Sequence, residues 1–214
     1  MAANSTPTQS SPERLAYWYL RLNGFFILEN FVIHDDVSSN QRTDADLIGV
    51  RFANREENIL NPMTDDPSIA RCETLVSVVI AEVKTSECSL NGPWTRPADE
   101  NMQRVLRAVG CFPKSAVELA GNALYKAGMY QDAHCTCRLI AIGARRCQAL
   151  PIRAVPQILF ADMLRFIHQR FHEYERQKAS VGNWSKDGQE LARSARGTSL
   201  DQFLAWANGY YGLR

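Results

Sequence analysis

Two apolar runs that end in charge constrain this chain more than any other feature. Asp46 opens the run Asp46-Leu47-Ile48-Gly49-Val50, and Glu82-Val83-Lys84 closes the run from Thr74 to Ala81. Ionised side chains seldom interrupt strand-like apolar runs unless they are paired or bound to a metal. In a strand, residues i and i+2 project from the same face, so Glu82 and Lys84 are expected together with Val83 turned into the core. If the strand bearing Asp46 lies alongside, a second carboxylate joins them. Two carboxylates and an ammonium make a site suited to a hard divalent cation and an activated water.

The flanking pattern predicts an α/β chain. Ser11 before Pro12 reads as a helix N-cap with proline in the first turn, followed by Leu15, Trp18, Tyr19 and Leu22 at helical spacing. Asn23-Gly24 ends that helix. Strands are predicted over 25–33, 46–52 and 74–84, helices over 98–109 and 115–127, a fourth strand over 133–142 and a short fifth over 148–153. An amphipathic helix is predicted from Val155 to Lys178, a loop over 181–188, and a final helix opened by the capping box Ser199-x-x-Gln202. The stretch 53–73 is long for a turn and reads as an insertion. Residues 1–10 read as a polar, disordered tail.

This arrangement resembles the PD-(D/E)xK phosphodiesterase superfamily, the restriction-endonuclease-like enzymes, and in particular its Holliday-junction-resolvase-like members. The resemblance rests on Asp46, on Glu82-Val83-Lys84 and on the preceding helix with Glu13, and it spans roughly residues 11–145. Ala45 stands where the family often has proline, and Asp44 lies close enough to compete with Asp46. The resemblance implies a mixed central sheet flanked by helices over 11–178, with 179–214 as a C-terminal helical extension packed on the same domain. It also implies a metal-dependent nuclease. Asp46, Glu82, the Val83 carbonyl and Glu13 would hold Mg²⁺ or Mn²⁺, Lys84 would assist the attacking water, and Gln103 would touch the site. Many relatives dimerise to cut two strands, which makes a homodimer an expectation.

Each of these residues also has a structural reading. Lys84 could pair with a carboxylate, Glu13 could serve the dipole of its helix, and Gln103 could be an ordinary helix residue. Trp94, Arg96, Arg104 and Arg107 are candidate DNA contacts, through stacking and phosphate pairing, or else a loop anchor and a solvated face. The alternative function is a non-catalytic nucleic-acid- or protein-binding module on the same fold.

Composition narrows the choices. A chain of 214 residues with 45% hydrophobic content can bury one sizeable core, and a net charge of +1 offers no general steering to DNA. No stretch is apolar enough to span a bilayer, so no membrane partner is expected. Six cysteines without an export signal point to reduced thiols and a cytoplasmic location. Cys135-x-Cys137 lacks the spacing of a zinc knuckle and reads as buried structural thiols. His168 and His172, at i and i+4, read as a surface pair on a basic helix.

Overall fold

The computed structural model describes residues 10–35, 41–69 and 75–213. Helix α1, Pro12–Leu22, begins where the Ser11 hydroxyl accepts from the Arg14 amide. Three strands follow: β1 Phe26–His34, β2 Gln41–Arg51 and β3 Val76–Val83. Helices α2 (Asn101–Val109) and α3 (Val117–Ala127) lead to β4 (Met129–Gln131) and β5 (Cys135–Gly143). The chain closes with β6 (Gln157–Leu159), α4 (Phe160–Glu173), α5 (Lys186–Gly197) and α6 (Leu200–Tyr210).

The sheet is mixed, in the order β1-β2-β3-β5-β4, with β6 also paired to β5. The pairs β1/β2 and β2/β3 are antiparallel, while β3 and β5 run parallel across the α2–α3 crossover. A parallel neighbour requires such a crossover, and the helices within it cover one face of the sheet. Strands β4 and β6 share the outer edge of β5, the first along residues 136–138 and the second along 141–143.

Alternate residues feed two cores. Leu47, Val79, Ala81, Val83, Ile140 and Ile142 pack under α1 and α4 to α6. Ile48, Val78, Ile80, Cys137, Leu139 and Ala141 pack under α2 and α3. Strands buried on both faces take apolar residues at most positions, which explains the nearly continuous apolar text of β3 and β5, interrupted by Ser77 and Glu82 and by Thr136 and Arg138. Leu191, Ala192, Ala195, Phe203 and Ala207 of α5 and α6 lie in the same core as α1. No helix among the described residues is long and apolar enough to cross a membrane.

Several expected boundaries move. Strand β2 starts at Gln41, five residues before Asp46, because its outer half pairs with β1 alone. Residues 148–153 form turns instead of a fifth strand; the edge strand is Gln157–Leu159. The amphipathic pattern from Val155 divides between this strand and α4, which ends at Glu173. Within the expected helical extension, a loop over 181–188 is predicted, but the tract after Ser185 is already helical, as α5. The expected helix from Ala98 begins as a 3-10 turn at Pro97–Asp99, and α2 proper starts at Asn101. The tail to residue 9, residues 36–40 and the last part of the expected insertion, 70–74, lie outside the described residues.

Candidate active site

Asp46 and Glu82 meet where β2 and β3 separate. The last paired residues are Leu47 and Ala81, and one step further along the same register sets Asp46 beside Glu82. The Asp46 carboxylate takes over from the ladder: its Oδ2 accepts from the Val83 amide at 2.7 Å. On its other side, pairing skips Asp46 between Glu29↔Leu47 and Phe31↔Ala45, where Asn30 stands opposite with φ +51°. A left-handed residue disrupts side-chain alternation, and asparagine tolerates that conformation better than most residues. The cores show the effect. Ile27 and Leu47 pack on the α1 side, while Phe31, Ile33 and Ala45, at the same parity, pack on the α2 side. The backbone thus changes facing at Asp46.

Glu82 is buried, with only 2% of its surface exposed. Its two oxygens have separate partners. Trp94 Nε1 donates to Oε2 at 2.7 Å, and Lys84 Nζ donates to Oε1. The same ammonium lies 3.4 Å from the Val83 carbonyl oxygen. A cation already sits between the Glu82 carboxylate and the Val83 carbonyl, two hard oxygen donors next to Asp46.

The electrostatics are under-compensated. Burial pushes the Asp46 carboxyl above its ordinary range, opposed by the Val83 amide and the Lys84 charge and assisted by the charges of Glu13 and Asp44. Burial likewise pushes Glu82 up, opposed first by the Lys84 hydrogen bond and assisted by the charge of Asp46. Glu13, in the first turn of α1, is therefore close enough to act on Asp46. Among the described residues, no three His, Cys, Asp or Glu side chains form a ready-made metal cage. The donor set consists of two carboxylates and a carbonyl, which suits a cation that retains several waters.

The remaining expected residues lie elsewhere. Gln103 is buried between α2 and α3 against Gly121, with Nε2 3.4 Å from Asn122 Oδ1. It fills that helix interface and does not touch the carboxylates. Trp94, expected as a stacking surface for a base, is 1% exposed and serves instead as the donor that orients Glu82. Arg96 pairs with Asp99. Arg104 and Arg107 line a groove of about 400 Å³ with Phe31, Val32 and His34, beside the outer half of β1. His168 and His172 are not a free surface pair: their Nε2 atoms bond the carbonyls of Thr198 and Ala195, and the rings lie 4.2 Å apart.

Sequence reading missed Asn30 and the role of Trp94. The polar pair Glu29-Asn30 in the middle of an apolar strand was the available signal for the first. The second had none, because the loop that carries Trp94 to Glu82 has no periodicity. Comparison of the chain with protein-family models, with curated proteins and with solved structures finds no match.

Proposed function

We propose that this chain is a divalent-metal-dependent nuclease that hydrolyses DNA phosphodiester bonds at the Asp46–Glu82–Lys84 site. The observation that carries this reading is the convergence of two strand-borne carboxylates, the Val83 carbonyl and one ammonium at the point where β2 and β3 part. A helix, three strands and a helical crossover precede β5, with α3 and the short strand β4 added before it, and this mixed sheet flanked by helices is compatible with the reading.

Asp46, Glu82 and the Val83 carbonyl would hold Mg²⁺ or Mn²⁺, and the charge of Glu13 reaches Asp46 from the first turn of α1. The bound ion would polarise the phosphoryl oxygens and lower the pKa of a coordinated water. Lys84, relieved of Glu82 by the ion's charge, is free to hold the attacking water or the developing negative charge on phosphorus. Trp94 keeps one Glu82 oxygen fixed so that the other faces the site. Burial of Glu82 strengthens the contacts that its carboxylate makes.

The test is cleavage of linear, supercoiled and branched DNA by purified protein with Mg²⁺ or Mn²⁺. Cleavage that disappears with EDTA and in Lys84→Ala supports the reading. A metal-dependent activity that survives both Asp46→Ala and Lys84→Ala contradicts it. DNA binding with no cleavage under any of these conditions favours the non-catalytic binding module on the same fold.

A further inference from the structure

A cavity of about 570 Å³ opens between the end of α1 and the start of β1, lined by Tyr17, Arg21, Phe25, Phe26, Phe52 and Arg55 among others. Two of its rings face solvent. Phe26 is 70% exposed and Phe52 57%, and the rings meet edge to face with centroids 5.8 Å apart. Phe26 opens β1, the edge strand of the described sheet, and Phe52 follows Arg51, the last residue of β2. Single exposed apolar residues are ordinary, but adjacent open rings at the mouth of a cavity mark a binding surface. The cations narrow the choice of ligand. Arg21 is exposed, and its guanidinium lies over the rings of Tyr17 and Trp18, 5.9 and 5.1 Å from their centroids. Its Nη1 donates to the Tyr17 hydroxyl at 2.8 Å, so its charge stays available for a ligand. Arg55 forms the opposite wall, held by Asp65 and Glu57 against Gly24, where a side chain would collide with it. No Asp or Glu among the described residues lines the cavity. Open aromatic faces beside an uncompensated guanidinium suit a ligand that is both aromatic and anionic, as a nucleotide is. A second copy of the chain, with a net charge of +1, brings no general excess of anion to meet Arg21.

We propose that this cavity holds unpaired nucleotides of single-stranded DNA, with Phe26 and Phe52 stacking on bases and Arg21 pairing with a phosphate. The inference rests on the nuclease reading, which supplies the DNA, and it adds a substrate class: DNA with an unpaired segment a few nucleotides from the bond that is cut. The fold links the two places. Phe26 pairs with Val50 on β2. At the rise of a strand, Val50 lies about 14 Å from Asp46, a span of a few nucleotide steps. On α1, Glu13, Tyr17 and Arg21 follow at i, i+4 and i+8, one stripe that runs from the first turn to the cavity. A duplex keeps its bases paired and stacked away from such rings, whereas a single strand offers base faces and phosphates together.

The experiment measures binding to the full-length protein by fluorescence anisotropy in EDTA, where metal-dependent cleavage cannot occur. The probes are a short labelled oligothymidine, an abasic oligomer of the same length and a duplex of that length. Oligothymidine is expected to bind most tightly. Phe26→Leu and Phe52→Leu keep an apolar side chain at exposed positions, so the fold stands. Each is expected to weaken oligothymidine binding by about 10-fold and to leave the abasic oligomer unchanged. Arg21→Gln is expected to lower the slope of log affinity against log salt by about 0.7, the share of one phosphate on a single strand. A packing role for Arg21 would leave that slope unchanged. Equal binding of oligothymidine and the abasic oligomer, or wild-type affinity in both leucine variants, overturns the proposal. So does self-association that Phe26→Leu abolishes and oligothymidine does not disrupt, which would assign the cavity to a second copy. The nuclease reading is judged separately. Metal-dependent cleavage with no preference for unpaired bases contradicts this inference alone, and base-dependent binding without cleavage at any metal concentration contradicts the nuclease reading alone.

Discussion

Two groups of carboxylates in this molecule face opposite charge balances. Asp65 and Glu57, in the insertion after β2, are surrounded by Arg51, Arg55, Arg170 and Lys178. Asp65 receives Arg51 at 2.8 Å, Arg55 at 2.9 Å and Arg170 at 3.3 Å. Glu57 pairs with Arg55 and Lys178, whose bonds and charges, with that of Arg170, hold it below the ordinary range although burial alone would raise it. Asp46 and Glu82 have one ammonium between them, and both are pushed upward. An over-compensated carboxylate ties a loop to a helix. An under-compensated pair stores electrostatic cost that a divalent cation relieves, and such imbalance is typical of functional sites. The difference separates what the insertion does from what the strand junction does.

The largest effect should come from removing Asp65. Its side chain is 6% exposed, and those of Arg51 and Arg170 are 7% and 1% exposed. Arg51 Nε and Arg170 Nη1 already lack partners, so Asp65→Ala would leave buried guanidinium charge almost unopposed. A loss of about 3–5 kcal/mol is expected in denaturant unfolding, with metal affinity unchanged in the protein that remains folded. A loss below about 1 kcal/mol would show that the insertion is not fixed by this network.

Lys84→Ala should reverse the pattern. Its removal leaves the fold standing and lowers the rate of metal-dependent cleavage by about 10²–10³-fold, measured under single-turnover conditions. Trp94→Phe keeps the ring in the core and removes the donor to Glu82. Titration with Mn²⁺ should then show an affinity lower by about 10–100-fold, with the cleavage rate at saturating metal much less affected. Equal affinity would show that Trp94 only packs.

The smallest effect concerns Asp46 in the metal-free protein. A folded-state pKa above the unfolded value means that the folded protein binds more protons, so stability falls as pH rises from the ordinary Asp range through the raised value. Asp46→Asn removes that loss and can still accept from the Val83 amide. Its gain should be near zero in acid and up to about 1 kcal/mol at neutral pH, discounted because Asp46 stays partly solvated. Chemical denaturation across pH checks the sign, and a variant less stable at neutral pH than in acid relative to wild type would contradict it.

Much of the sheet was legible from the chain. The capped first helix, β3, β5 and the final capping box carry strong local signals: Ser11-Pro12, mostly apolar runs, and Ser199 with Gln202. The short edge strands β4 and β6 were not, because three residues carry too little periodicity to stand out. Helix α5 was hidden because its buried side consists of Gly188, Leu191, Ala192 and Ala195, mostly small residues that weigh little in a hydrophobic pattern. At the site, Glu82 and Lys84 could be placed on one face from strand parity, whereas the change of facing opposite Asn30 beside Asp46 could not. Gln103 and Trp94 could not, since burial and loop path depend on contacts between segments far apart in sequence.

The most direct test is a crystal of the protein grown with Mn²⁺ and examined by anomalous scattering. The account predicts one ion bound by Asp46, Glu82 and the Val83 carbonyl at about 2.1 Å, with Lys84 Nζ moved off Glu82 Oε1. An ion bound elsewhere, or Lys84 still paired with Glu82 at saturating Mn²⁺, would contradict it.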